Sequence, residues 1–209
     1  MDCLDNRGPA DWRGLPVPGW LHFLLNALFS EPFEPPGVIS HTKIIFTKKK
    51  IMPLQIGQTA PDFTLFSSAK EKVTLSDYRG KMNVLVLFFP QAFTGVCTKE
   101  LCAVRDEIGK YDNVHAQVLA ISVDSVFTLA KFKEEQQYNF PLLSDFNKEV
   151  SGLYETIYAS FTDMDMKGVS KRSAFIIDKQ GVILYAEVLE SAGDVPDFNA
   201  INEVLSRLS

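Results

Sequence analysis

The chain has 209 residues, 46% hydrophobic and 22% charged, with a formal net charge of −5 at pH 7. That length holds one ordinary domain plus an appendage, and that balance is globular rather than fibrous or disordered. The acidic surplus excludes an electrostatic footprint for nucleic acid or an anionic membrane, and no apolar run approaches the roughly 18 residues of a spanning helix. Three cysteines are too few for a secreted disulfide framework, so a reducing compartment, the cytoplasm, is expected.

The composition changes near Met52. Six of the eleven prolines lie in residues 1–51, which close on Lys48-Lys49-Lys50. Apart from a short apolar patch at 20–29, no helix or strand period is sustained there. Residues 1–51 are therefore expected to be a disordered extension or the product of an upstream start, with the folded domain spanning 52–209. Asp2, Asp5 and Asp11 stand where a secretory signal would carry basic residues, and no cleavage site follows the patch. A short helix at 18–29 packed on a partner is the alternative.

From Gly57 onward, strand and helix patterns alternate. Residues 63–66 and 72–75 predict a hairpin, and Ser76-Asp77 a cap for one helical turn before Gly80. The unbroken apolar run 84–89 predicts a strand covered on both faces. It stops at Pro90, and a loop then delivers Thr94 and Cys97 to the start of a helix that also carries Cys102. Residues 116–123 predict a second central strand. Asp124-Ser125 then cap an amphipathic helix at 126–137, with Phe127, Leu129, Ala130 and Phe132 expected on one face. A short strand at 142–143, a helix at 148–154 and a hairpin of 173–177 with 182–188 follow, turning on Asp178-Lys179-Gln180-Gly181. An amphipathic helix at 198–208 closes the chain. This order specifies an α/β domain, a central mixed sheet with helices on both faces.

Cys97 is the residue that carries chemistry. A thiol at a helix start meets unpaired backbone N–H groups and the positive end of the helix dipole, which favours the nucleophilic thiolate. To attack a peroxide it also needs a polar clamp on both oxygens and support for the departing oxyanion. Thr94 can place a hydroxyl beside the sulfur. Arg172, just before the apolar strand at 173–177, is the best candidate cation, and Pro90 stiffens the loop. Taken alone, a buried cysteine is more often structural and an arginine more often solvated; the Pro-Thr-Cys spacing and the flanking strand reverse those readings. Glu100 and Arg105 could equally lie on the solvent side of their helix. His115 reads as a strand-edge residue, and the histidines and cysteines make no zinc spacing, so neither metal nor cofactor is expected.

Pro90-x-x-x-Thr94-x-x-Cys97 resembles the peroxiredoxin signature, and Lys171-Arg172-Ser173-Ala174-Phe175-Ile176-Ile177-Asp178 resembles that family's arginine-bearing strand. Ala60-Pro61-Asp62-Phe63, Ile121-Ser122-Val123-Asp124-Ser125 and Phe140-Pro141-Leu142-Leu143-Ser144-Asp145 stand around them in the family's order. The resemblance covers residues 53–209. It implies a thioredoxin-like fold and thiol-dependent reduction of hydrogen peroxide or organic hydroperoxides. It assigns Cys97 as peroxidatic nucleophile, Thr94 and Arg172 as peroxide-binding residues, Pro90 as pocket shield and Glu100 as a residue orienting the arginine. It also implies a homodimer and recycling by thioredoxin, a glutaredoxin-like protein or another thiol reductant.

Cys102 divides the reading. Likeness to the Q-type (bacterioferritin-comigratory) members makes it the resolving cysteine. The loop Ala92-Phe93-Thr94-Gly95-Val96-Cys97 resembles the one-cysteine alkyl hydroperoxide reductase E type, which relies on an external thiol. Five residues of α-helix rotate a side chain by roughly 500° and advance it about 7.5 Å, beyond the approximately 7 Å reach of a disulfide. A Cys97–Cys102 bond therefore demands that the first turns unwind. Cys102 as a small apolar packing residue is the third reading; the resolving role is the preferred one. A peroxide-sensing relay that passes oxidation to a partner would use the same Cys97. A general disulfide oxidoreductase is disfavoured because the chain has no Cys-x-x-Cys.

Overall fold

Short strands with alternating faces build the sheet described by the computed structural model, which covers residues 54–208. The expected extension at 1–51 lies outside the described residues. Strands β1 (Thr64–Ser67) and β2 (Lys72–Thr74) pair antiparallel as the predicted hairpin. The helical turn that follows, Leu75–Tyr78, is capped from a distance: the Ser76 N–H donates to Asp62 Oδ1 at 2.9 Å, and Ser76-Asp77 is not its cap.

Strand β3 (Asn83–Phe88) is buried along its whole length, as its unbroken apolar sequence requires. Burial of each large side chain there is worth about 1.5–3 kcal/mol. Helices α1 (Gly95–Asp106) and α2 (Ile108–Asn113) follow, then β4 (Ala116–Ser122) and α3 (Val126–Gln136). Then come β5 (Leu142–Ser144), the short α4 (Glu149–Leu153), β6 (Ser173–Ile177), β7 (Ile183–Val188) and α5 (Phe198–Ser206). The seven described strands lie in the order β2-β1-β5-β4-β3-β6-β7. β3, β4 and β5 are parallel, while β1, β6 and β7 join antiparallel. The sheet is mixed, as predicted.

Alternation along the strands makes two cores. Leu85, Leu87, Val118, Ala120, Ala174 and Ile176 face a layer of α1, α2, α3 and α5, through residues such as Leu101, Tyr111, Phe132 and Ile201. Val84, Val86, Phe88, Ile121, Phe175 and Ile177 face Phe63, Leu75, Val150 and Tyr154. Helices thus lie on both faces, but unequally.

Two local expectations need correction. Phe127 does not share the buried face of Leu129 and Phe132: it is 74% exposed, because two helical residues turn through about 200°. Residues 108–113 form a helix that the sequence pattern did not separate from α1.

Strand register builds the site. Phe88 of β3 pairs with Ile121 of parallel β4 and with Ser173 of antiparallel β6. The C-terminal ends of β3 and β4 and the start of β6 therefore share one edge. Pro90, Asp124 and Arg172 converge there, although they are distant in sequence.

Candidate active site

Thr94 is the N-cap of α1, and Cys97 is the helix's third residue. The first turn carries no acidic residue to oppose an anion. The Thr94 hydroxyl does not cap the helix; it donates to the Gln91 carbonyl at 3.0 Å. The Thr94 carbonyl in turn accepts from the N–H and the hydroxyl of Thr98 at 2.9 and 2.8 Å. Pro90 is buried and Thr94 half-buried. Cys97 is 1% exposed.

Arg172 reaches the sulfur from the position just before β6. Its Nη2 donates to Cys97 Sγ at 3.3 Å and to the Ala192 carbonyl at 3.0 Å, while Nη1 donates to Glu100 Oε2. Arg172 and Glu100 are both buried, which settles the open reading of Glu100 against the solvent face. Arg105 is separate: it pairs with Asp106 and donates to the Gln136 carbonyl.

Burial pushes the Glu100 carboxyl up to about 7, against the downward pull of Arg172. Burial also lowers the Arg172 guanidinium, but Glu100 and Cys97 outweigh it and leave the group raised, hence cationic. Glu100 Oε1 and Arg172 Nε have no hydrogen-bond partner among the described residues. Buried polar atoms are seldom left so, and these two belong to the Glu100–Arg172 pair whose guanidinium contacts the thiol. The guanidinium thus combines a fixed contact to sulfur with a spare donor, an arrangement suited to a small polar substrate.

Cys102 lies elsewhere. It is half-buried, with Sγ 3.8 Å from Gln136 Oε1 and 4.0 Å from the Tyr138 hydroxyl. Both cysteines are free thiols, and α1 runs unbroken through both. The structure thus brings together Cys97, Glu100 and Arg172 and leaves Cys102 on a different surface of the same helix. His115, in left-handed conformation at φ 51°, precedes β4 as an exposed turn residue.

Sequence reasoning missed Ala192, whose backbone carbonyl carries no sequence signal. It missed Tyr158, whose hydroxyl donates to the Leu189 carbonyl at 3.2 Å in the segment that leads to Ala192. It also read Asp124 only as a helix cap. Ser125 fills that role, accepting from the Thr128 N–H at 3.1 Å.

A thioredoxin-like sheet presenting one guanidinium-paired cysteine at a helix start defines a thiol oxidoreductase. Comparison with known proteins narrows this. The AhpC/TSA family profile matches residues 56–186. Alkyl hydroperoxide reductase E of Mycobacterium tuberculosis is 38% identical over 156 residues, covering 75% of this chain and 99% of that one. The chloroplastic 2-Cys peroxiredoxin BAS1 of Spinacia oleracea is 36% identical over 147 residues, 66% of this chain and 53% of its own. Among solved structures, peroxidoxin BcpB from Mycobacterium tuberculosis superposes with a TM-score of 0.66 at 28% identity, covering 75% of this chain and 99% of that one. The chain belongs to the AhpC/TSA family and is a peroxiredoxin, a thiol-dependent peroxidase by class.

Proposed function

We propose that this peroxiredoxin reduces hydrogen peroxide and organic hydroperoxides at Cys97. The thiolate attacks the terminal peroxide oxygen and the O–O bond breaks. Cys97 becomes a sulfenic acid, and the departing alkoxide or hydroxide takes a proton to leave as alcohol or water. Thr94 and Arg172 hold the peroxide, Pro90 shields the pocket, and Glu100 keeps the guanidinium aimed. The observation that carries this reading is the 3.3 Å contact from Arg172 Nη2 to Cys97 Sγ, backed by the buried Glu100.

Cys102 then attacks the sulfenic sulfur, giving a Cys97–Cys102 disulfide and water, and a thioredoxin-like or other dithiol returns both to thiols. The unbroken α1 means that its first turns open in each cycle. The enzyme acts as a cytoplasmic homodimer. Peroxide treatment followed by non-reducing peptide mapping tests the cycle. A linked Cys97–Cys102 peptide is expected; accumulation of sulfenic or sulfinic Cys97 alone, or of a mixed disulfide, would contradict it.

A further inference from the structure

The loop from Pro90 to Thr94 carries Thr94 and leads directly into α1 and Cys97, yet few polar contacts hold it. Among the described residues, a single hydrogen bond ties it to an element other than its own helix: the Ala92 N–H donates to Asp124 Oδ2 at 2.8 Å. Its other anchors are apolar: Pro90 and Ala92 are buried, and the Phe93 ring packs on Phe132 with centroids 4.8 Å apart. Phe93 itself sits in the left-handed region, at φ 63°, and is half-exposed. A bulky residue there costs of order 1–3 kcal/mol and persists only where the surroundings impose it.

Asp124 is well placed to impose it. Its Oδ2 also accepts from the Ser122 hydroxyl at 2.8 Å, and the Ser122 Oγ accepts from the Asp124 N–H at 3.2 Å. The Asp124 carbonyl accepts from the Ser144 hydroxyl at 2.6 Å. Asp124 is thus fixed to the end of β4 through its carboxylate and to the end of β5 through its backbone, and it presents Oδ2 to the loop.

Resting on the peroxidase reading, we infer that Asp124 is a positioning residue that latches the Cys97 loop shut. With the latch closed, Ala92 fixes the loop that aims Thr94 and starts α1, and Cys97 faces Arg172. With the latch broken, the strained segment relaxes, the first turn of α1 frays, and the buried sulfur becomes accessible. Two rates should therefore move in opposite directions when the latch is removed, with the thermal melt of the full chain close to wild type, whereas general unfolding would lower the melt as well.

The test uses the full chain, with hydrogen peroxide as one probe and a bulky maleimide, its adduct mapped to Cys97, as the other. In Asp124→Ala, peroxide oxidation of Cys97 is expected to slow about tenfold, the scale of one lost hydrogen bond to a charged acceptor, while alkylation quickens by a similar factor. Asp124→Asn keeps an acceptor oxygen in place and should restore both. Should the alanine variant fail to fold, Ser122→Ala frees the carboxylate and should move both rates the same way, about two- to threefold. Unchanged oxidation, unchanged or slower alkylation, or no rescue by asparagine would overturn the latch. A wild-type Cys97 no faster with peroxide than free cysteine thiolate would instead overturn the peroxidase reading, and the alkylation arm would still decide the latch.

Discussion

Glu100 and Arg172 form a buried pair whose balance shifts with pH. Burial raises Glu100 to about 7 despite Arg172. A carboxyl whose folded value lies above its unfolded one is more easily protonated in the folded state. Its charge therefore costs stability above pH about 7, and that cost is relieved as pH falls toward the ordinary carboxylate range. Reactivity runs the other way, because a protonated Glu100 holds the guanidinium less firmly beside Cys97. On acidification through pH about 7 the peroxide rate should fall while this part of the stability rises, and Glu100→Gln should flatten both trends. Stopped-flow and thermal melts across that range check this; slopes identical to wild type would contradict it. Cys97 and Thr94 were legible because their spacing is local, and Arg172 because a strand follows it. The burial of Glu100 was not, because residue spacing alone does not say which helix face meets β6.

The proposed cycle places two demands on helix α1, a rigid first turn for the peroxide step and a yielding one for disulfide formation. Gly95 opens this helix with ordinary backbone angles, and a Cβ there would meet nothing within 4 Å. Gly95→Ala should therefore stabilise the first turn by up to about 1 kcal/mol, slowing disulfide formation by no more than about fivefold while sparing peroxide oxidation. Timing the appearance of the linked Cys97–Cys102 peptide against peroxide consumption would show this; equal slowing of both steps would contradict it. The strands were readable from their unbroken apolar runs, notably at 84–89. The six residues of α2 carry too short a period to separate from α1. Phe127 was misplaced by reading apolar character where helical angle decides. Asp124 looked like a cap because its partner, Ala92, is 32 residues away.

The molecule as a whole works by register. One sheet edge gathers the end of β3, the end of β4 and the start of β6, so Arg172 meets the Cys97 sulfur and Asp124 meets the loop before it. The α/β class and mixed sheet followed from the order of elements, but the edge they share depends on strand pairing, which the sequence pattern does not encode. No helix among the described residues is long and apolar enough to cross a membrane. The central claim is that Arg172, brought to this edge, makes Cys97 a peroxide-reactive thiol. Stopped-flow oxidation of Cys97 by hydrogen peroxide, in the full chain and in Arg172→Met, tests it most directly. Wild type should react orders of magnitude faster than free cysteine thiolate, and the variant should lose about 100-fold or more, the scale of one preorganised charge-stabilising donor. A wild-type rate no greater than that of free thiolate, or a variant as fast as wild type, would contradict the account.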